Sequence, residues 1–154
     1  MKKIIILFFI SSFGFCQDVD SIKKLDTIYI VFTKKKGLVK NIYTFNYRDY
    51  RFYLKMRKNE IQEYLRFEKP DRKNSLTDKG HPRIDVRFED KSFLKKHKKE
   101  IINIDFLKKY EAQYIACELL TDSKILYIID FTEKKNKKIV LYSVNLIYHC
   151  PVYE

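Results

Sequence analysis

The chain has 154 residues with 32 Lys and Arg against 20 Asp and Glu, a formal net charge of +12, and it is 45% hydrophobic, with twelve Tyr and twelve Phe. This apolar content excludes a disordered tail, because each buried aromatic removes a large area from water and offsets chain entropy. The length suits one domain, and three glycines leave little material for the backbone loops that cradle nucleotide phosphates.

The basic surplus draws a protein toward phosphates, anionic lipid heads or acidic polymers, with strong salt dependence. The chain is also poor in Gly, Ala and Pro and heavy in Lys, Ile, Asn, Phe and Tyr, the signature of AT-rich coding. Lysine on solvated faces then reflects codon supply as much as a target. Charge by itself is an argument about solubility and non-specific association.

The chain starts with Lys2 and Lys3, an unbroken apolar run from Ile4 to Ile10, and then Ser11 to Cys16 before a polar Gln17-Asp18. That is the layout of a secretory leader, and its apolar stretch is shorter than the roughly 18 residues a membrane span needs. Residues 1–16 are therefore expected to be a signal peptide and residues 17–154 a single exported domain, not transmembrane after processing. Gly14 and Cys16 are small enough for cleavage between Cys16 and Gln17. The competing route keeps Cys16 as an acylated first residue and anchors the protein to lipid. Phe15, where that route prefers a small residue, argues for the soluble form, in the periplasm or secreted.

Residues 17–26 read as a loose lead-in. Thr27 to Thr33 is β-branched and aromatic throughout, which predicts a strand buried on both faces, and Lys34 to Gly37 predicts a turn. Tyr43, Phe45 and Tyr47 share one parity, whereas Tyr50, Phe52, Leu54 and Met56 share the other. The shift near Arg48-Asp49 predicts a bulge or, more simply, a hairpin. Ile61, Tyr64 and Leu65 fit a short helix capped by Asn59. Pro70 to Pro82 is the clearest loop, and after it Arg83 to Glu89 alternates, with Ile84, Val86 and Phe88 toward a core and the charges toward water.

Asp90 or Ser92 is placed to cap a helix running to about Ile102, with Leu94, His97, Ile101 and Ile104 on one stripe. Asp105 caps a second helix through Phe106, Leu107 and Tyr110 toward Tyr114 and Cys117. Two strong strands follow, Ile125 to Phe131 and Ile139 to Tyr148, joined by Glu133 to Lys138. The order of elements predicts an α+β fold: a mainly antiparallel β-sheet with one or two helices packed on one face.

With Cys16 removed, Cys117 and Cys150 remain as a candidate disulfide. In a simple meander Cys117 would lie level with Ile128 and Tyr142, leaving Cys150 about 26 Å away at roughly 3.3 Å per residue, far beyond bonding reach. The bridge therefore requires Cys117 to be helical or its strand to pair elsewhere. The stripe Leu107, Tyr110, Tyr114, Cys117 favours the helix.

No phosphate loop, paired-histidine zinc helix, nucleophile elbow or CxxC is present, so no catalytic residue, cofactor or metal is assigned. His149 and Cys150 are adjacent, and in a strand they point to opposite faces, unsuited to one metal. His97, between lysine pairs at the edge of an apolar stripe, reads as a packed or capping residue. His81, near Arg83 and Asp85, is the histidine whose surroundings suit a weak polar site, although His-Pro beside a glycine is an ordinary turn. The segment from Tyr43 to Arg57 interleaves aromatics with cations. Tyr47, Arg48, Arg51, Tyr53 and Lys55 make a candidate surface for polyanions or glycans, against the plainer reading of a hairpin whose aromatic face is core. The function expected is that of an exported, non-enzymatic binding or interaction module, its partner another envelope protein or an anionic surface and not nucleic acid. The alternative is a small basic secreted hydrolase of the ribonuclease type.

Overall fold

The structure, a computed structural model, describes residues 18–32, 38–42, 50–58, 61–70, 86–135 and 137–151. The expected leader with Cys16 and Gln17, the turn expected at 34–37, Tyr43, Tyr47, Arg48, Asn59 and the loop expected around His81, Arg83 and Asp85 lie outside them. In chain order come α1 (Val19–Lys23), β1 (Thr27–Phe32), β2 (Leu38–Ile42), β3 (Tyr50–Lys58), β4 (Ile61–Glu68), β5 (Val86–Glu89), α2 (Ser92–Lys96), β6 (Ile101–Asn103), α3 (Ile104–Leu107), α4 (Ala112–Tyr114) with a π-helical continuation Ile115–Leu119, β7 (Ile125–Lys135) and β8 (Lys138–Ile147).

The fold is α+β, but the sheet is mixed rather than mainly antiparallel, and the helices are short. Strand order is β2-β3-β4-β8-β7-β1-β6, with β5 also paired to β8. β1 lies parallel to both neighbours, Ile28 opposite Leu126 of β7 and Ile30 opposite Ile102 of β6. As its sequence predicts, β1 is buried on both faces: Ile28, Ile30 and Phe32 enter the main core, and Tyr29 enters a second cluster with Phe93, Ile101, Tyr127, Ile129, Ile139 and Leu141. The helices divide accordingly. Ile22 of α1, Leu107 of α3 and Ile115 of the π-helical segment join the main core, whereas α2 covers the second cluster with Phe93.

β8 is the central strand. Its residues Ile139 to Val144 are all buried, one edge is zipped to β7, and the other is shared end to end by β5 at Ile139 to Tyr142 and β4 at Asn145 to Ile147. β3 does not pair with β8, yet the Tyr50 and Phe52 rings lie 4.8 and 5.3 Å from that of Tyr142. The β2-β3-β4 wing therefore folds over the β8-β7-β1 wing, and the two inner faces close on a shared aromatic centre. The Tyr50 hydroxyl donates to the carbonyl of Ser143 at 2.5 Å, which satisfies the one polar atom this buried ring brings in.

Several elements differ from expectation. Residues 61–68 form a strand, because Leu65 and Phe67 alternate inward while Tyr64 and Arg66 stay exposed, and pairing with β3 over the whole length outweighs a weak helical spacing. The helix expected through Ile102 stops at Lys96. Lys91 is its N-cap with no side-chain hydrogen bond, and Ile101 and Ile102 instead extend the sheet beside β1. The next cap is Asn103 rather than Asp105: its side chain accepts the Phe106 N–H at 2.7 Å. β2 and β3 pair antiparallel, Ile42 opposite Tyr50, while the parity shift expected near Arg48-Asp49 lies outside the described residues. The β7–β8 connection is tighter than predicted, since Lys135 pairs with Lys138 and Lys137 takes a positive φ of 64°. A register shift follows Asp130, whose buried carboxylate accepts the Thr132 N–H and hydroxyl at 2.7 and 2.6 Å, an Asx-type turn that holds the bulge.

Cys117 is helical, as a bridge requires, and its sulfur lies 2.01 Å from that of Cys150 with Cα atoms 5.8 Å apart. The disulfide ties the segment after β8 to the π-helical turn. In the chain-entropy account, reduction is expected to lower stability by about 3 to 4 kcal/mol. Urea unfolding with and without dithiothreitol measures that difference. Replacing Tyr50 by Phe removes the hydroxyl bonded to Ser143, and a loss of about 1 to 2 kcal/mol is expected in the same assay.

Candidate functional site

On β3, Tyr50, Phe52, Leu54 and Met56 are buried, so Arg51, Tyr53 and Lys55 face the other way. The register then assembles a surface that no single segment contains. Tyr53 stands between Val39 of β2 and Arg66 of β4, Lys55 is opposite Tyr64, Arg51 is opposite Glu68, and Arg66 is opposite Ile147 of β8. Val39, Tyr64 and Ile147 are the large exposed hydrophobics among the described residues, at 53, 47 and 40% exposure, and all three lie on this face. Glu68 joins the arginines: its Oε1 is 3.1 Å from Arg51 Nε and 3.2 Å from Arg66 Nε. The carboxylate draws the two guanidinium groups together on this face.

The plainer reading of this hairpin describes its inner side. The aromatic parity starting at Tyr50 is core, and the Arg51, Tyr53, Lys55 parity is surface. β4 contributes Tyr64 and Arg66, which the sequence alone did not single out because the segment was read as a helix. Its period-two exposure was the available signal. Tyr47 and Arg48, His81, Arg83 and Asp85 lie outside the described residues.

A second polar cluster occupies the other face of the β7-β1 pair. Tyr29 stacks on Tyr127 with centroids 5.4 Å apart, and Arg87 sits over Tyr127 with its guanidinium carbon 4.5 Å from the ring centre. His97 lies on Phe93 at 4.3 Å and edge-on to Tyr29 at 5.3 Å, and its Nδ1 is 2.5 Å from Glu100 Oε2. The packed role expected for His97 holds, with a hydrogen bond to the Glu100 carboxylate added. Burial pushes the Tyr29 phenol up from its ordinary range, and Arg87 opposes that shift. The charges of β5 were expected to face water, but Arg87 and Glu89 are half-buried, and Arg87 lies over the Tyr127 ring.

At the disulfide end, two adjoining hollows share Thr121, Asp122, Leu146 and Tyr148. The Tyr148 hydroxyl donates to Glu63 Oε1 at 2.8 Å. His149 is exposed beside Cys150. No group of three His, Cys, Asp or Glu side chains gathers at metal-binding range among the described residues. Comparison with protein-family models, curated proteins and solved structures finds no match.

Desolvation, with the hydrogen bond to Glu63 and the charges of Glu63 and Glu111, pushes the Tyr148 phenol up to about 12. A phenol that keeps its proton longer in the folded state contributes stability that is complete below the ordinary value near 10 and is lost as pH rises through about 12. The fall in melting temperature between those two pH values is expected to be smaller in Tyr148→Phe than in the unaltered protein.

Proposed function

We propose that this protein is an exported, non-enzymatic binding module that holds an anionic polysaccharide of the cell envelope on the outer face of β2, β3 and β4. The observation that carries the reading is the alternation of cations and rings across two adjacent strands: Arg51, Tyr53 and Lys55 beside Tyr64 and Arg66. Sugar rings stack on tyrosine faces, and acidic substituents meet the guanidinium groups that Glu68 draws together. A flat face suits an extended polymer better than a small molecule, which needs a concave site. The strong basic charge of the chain steers such a partner toward the protein.

Export is the setting that the disulfide and the leader-like start support. Disulfides persist in oxidising compartments. Among the described residues, no helix is long and apolar enough to cross a membrane. A form anchored through acylated Cys16 would present the same face from a membrane surface.

The test uses a charge-matched design. Heparin serves as the acidic polysaccharide and dextran as the neutral one. Tyr53→Ala with Tyr64→Ala leaves the charge unchanged and is expected to weaken heparin binding by roughly ten-fold or more, since each stacked ring is worth about 1 kcal/mol. Removing Arg51, Lys55 and Arg66 is expected to weaken it further than removing Lys95, Lys99 and Lys109, which lie elsewhere. Equal losses from the two triple variants would reduce the interaction to net charge and refute the assigned face. Cleavage of RNA by the purified protein would replace this reading with that of a basic hydrolase.

A further inference from the structure

The cleft beside Arg87 is separate from that outer face and has a different chemistry. It encloses about 440 Å³ between β5, β1 and α2. One wall is made by the rings of Tyr29, His97 and Phe93, and Arg87 lines the cleft with its guanidinium over Tyr127, the ring stacked on Tyr29. Packing on the Tyr127 ring and a hydrogen bond to Tyr29 hold the guanidinium in place. The Arg87 Nε is shielded from solvent and has no hydrogen-bond acceptor among the described residues. A buried donor with no acceptor is costly, and a guanidinium edge is shaped for a planar or tetrahedral oxyanion.

The other charges of the cleft limit what that oxyanion can belong to. Lys96 adds a cation at the lining, but Glu89 and Asp90 line the same cleft and offset Arg87 and Lys96. A polyanion would meet both carboxylates. A ligand with one negative group and one donor group would satisfy both signs. We infer that the Arg87 cleft binds a small zwitterionic molecule, its carboxylate or phosphate on Arg87 and its amine toward Glu89 and Asp90. His97, held by Glu100, and Tyr29 form the ring wall against which the body of the ligand rests.

His97 provides the reporter, because its ring signals in proton NMR respond to a ligand seated on the ring wall and are assigned with His97→Gln. β-Alanine and O-phosphoethanolamine are the zwitterionic probes for the two anion sources, and acetate and inorganic phosphate are the simple anions, all at matched ionic strength. Saturable movement of the His97 signals by at least one zwitterion is expected, with the matching simple anion binding more weakly. In Arg87→Gln the dissociation constant is expected to rise roughly ten-fold, the loss of one charge-assisted pair. No saturable movement with any of the four probes overturns the site. An unchanged constant in Arg87→Gln, shown by its melting curve to be folded, does the same. Should that variant unfold, Arg87→Lys decides: it keeps the charge and loses the fork, so weaker binding supports the site and equal binding refutes it. Equal affinity for a zwitterion and its simple anion overturns the role given to Glu89 and Asp90.

Discussion

The fold depends on the burial of β8 on both faces and along both edges. A strand in that position must satisfy its backbone groups entirely within the sheet, and here two different segments share the work on one edge: β5 beside Ile139 to Tyr142, and β4 beside Asn145 to Ile147. Splitting one edge between two partners lets the β2-β3-β4 wing diverge from the β7-β1-β6 wing and turn back over it. Tyr142 then meets Tyr50 and Phe52 at the centre, and its own hydroxyl reaches Glu133 at 2.7 Å on the bulged part of β7. Bulge, hairpin and aromatic centre are thus one connected arrangement.

This folding-over creates two outward faces with unlike properties. On the outer side of the β2-β3-β4 wing, Val39, Arg51, Tyr53, Lys55, Tyr64 and Arg66 are half-buried or exposed, and rings and cations remain at the surface. On the other wing α2 and the turn that follows it cover the outer side, so Arg87, Tyr29 and His97 are drawn into a ring-walled hollow. The same alternation of polar and apolar residues yields a flat surface in one place and a cleft in the other. The difference lies in what packs above the strand.

The disulfide acts at the boundary between these layers. Cys117 sits in a π-helical turn whose Ile115 and Leu119 enter the main core, and Cys150 lies just beyond the end of β8. Linking them fixes the segment after β8 against the helical layer. Tyr148, two residues earlier, is positioned to reach Glu63 on β4. A covalent link and a partly buried hydrogen bond therefore hold the C-terminal end of the central strand from two sides.

Local pattern alone determined the strand identity of β1, β7 and β8, the inward parity of Phe52, Leu54 and Met56, and the outward parity of Arg51, Tyr53 and Lys55, and it left Cys117 and Cys150 as a candidate pair that the fold brings together. These follow from period-two alternation, β-branched composition and chain reach, which a short window contains. Tertiary structure decided the rest. The parallel neighbours of β1, the conversion of Ile101 and Ile102 from helix to strand and the strand identity of residues 61–68 all depend on a partner distant in sequence, whose hydrogen bonds outweigh a weak local spacing. For the same reason, no single segment revealed Tyr64 and Arg66 beside Tyr53, or Arg87 over Tyr127. Neighbours across a sheet are set by register, and register is a property of the assembled fold.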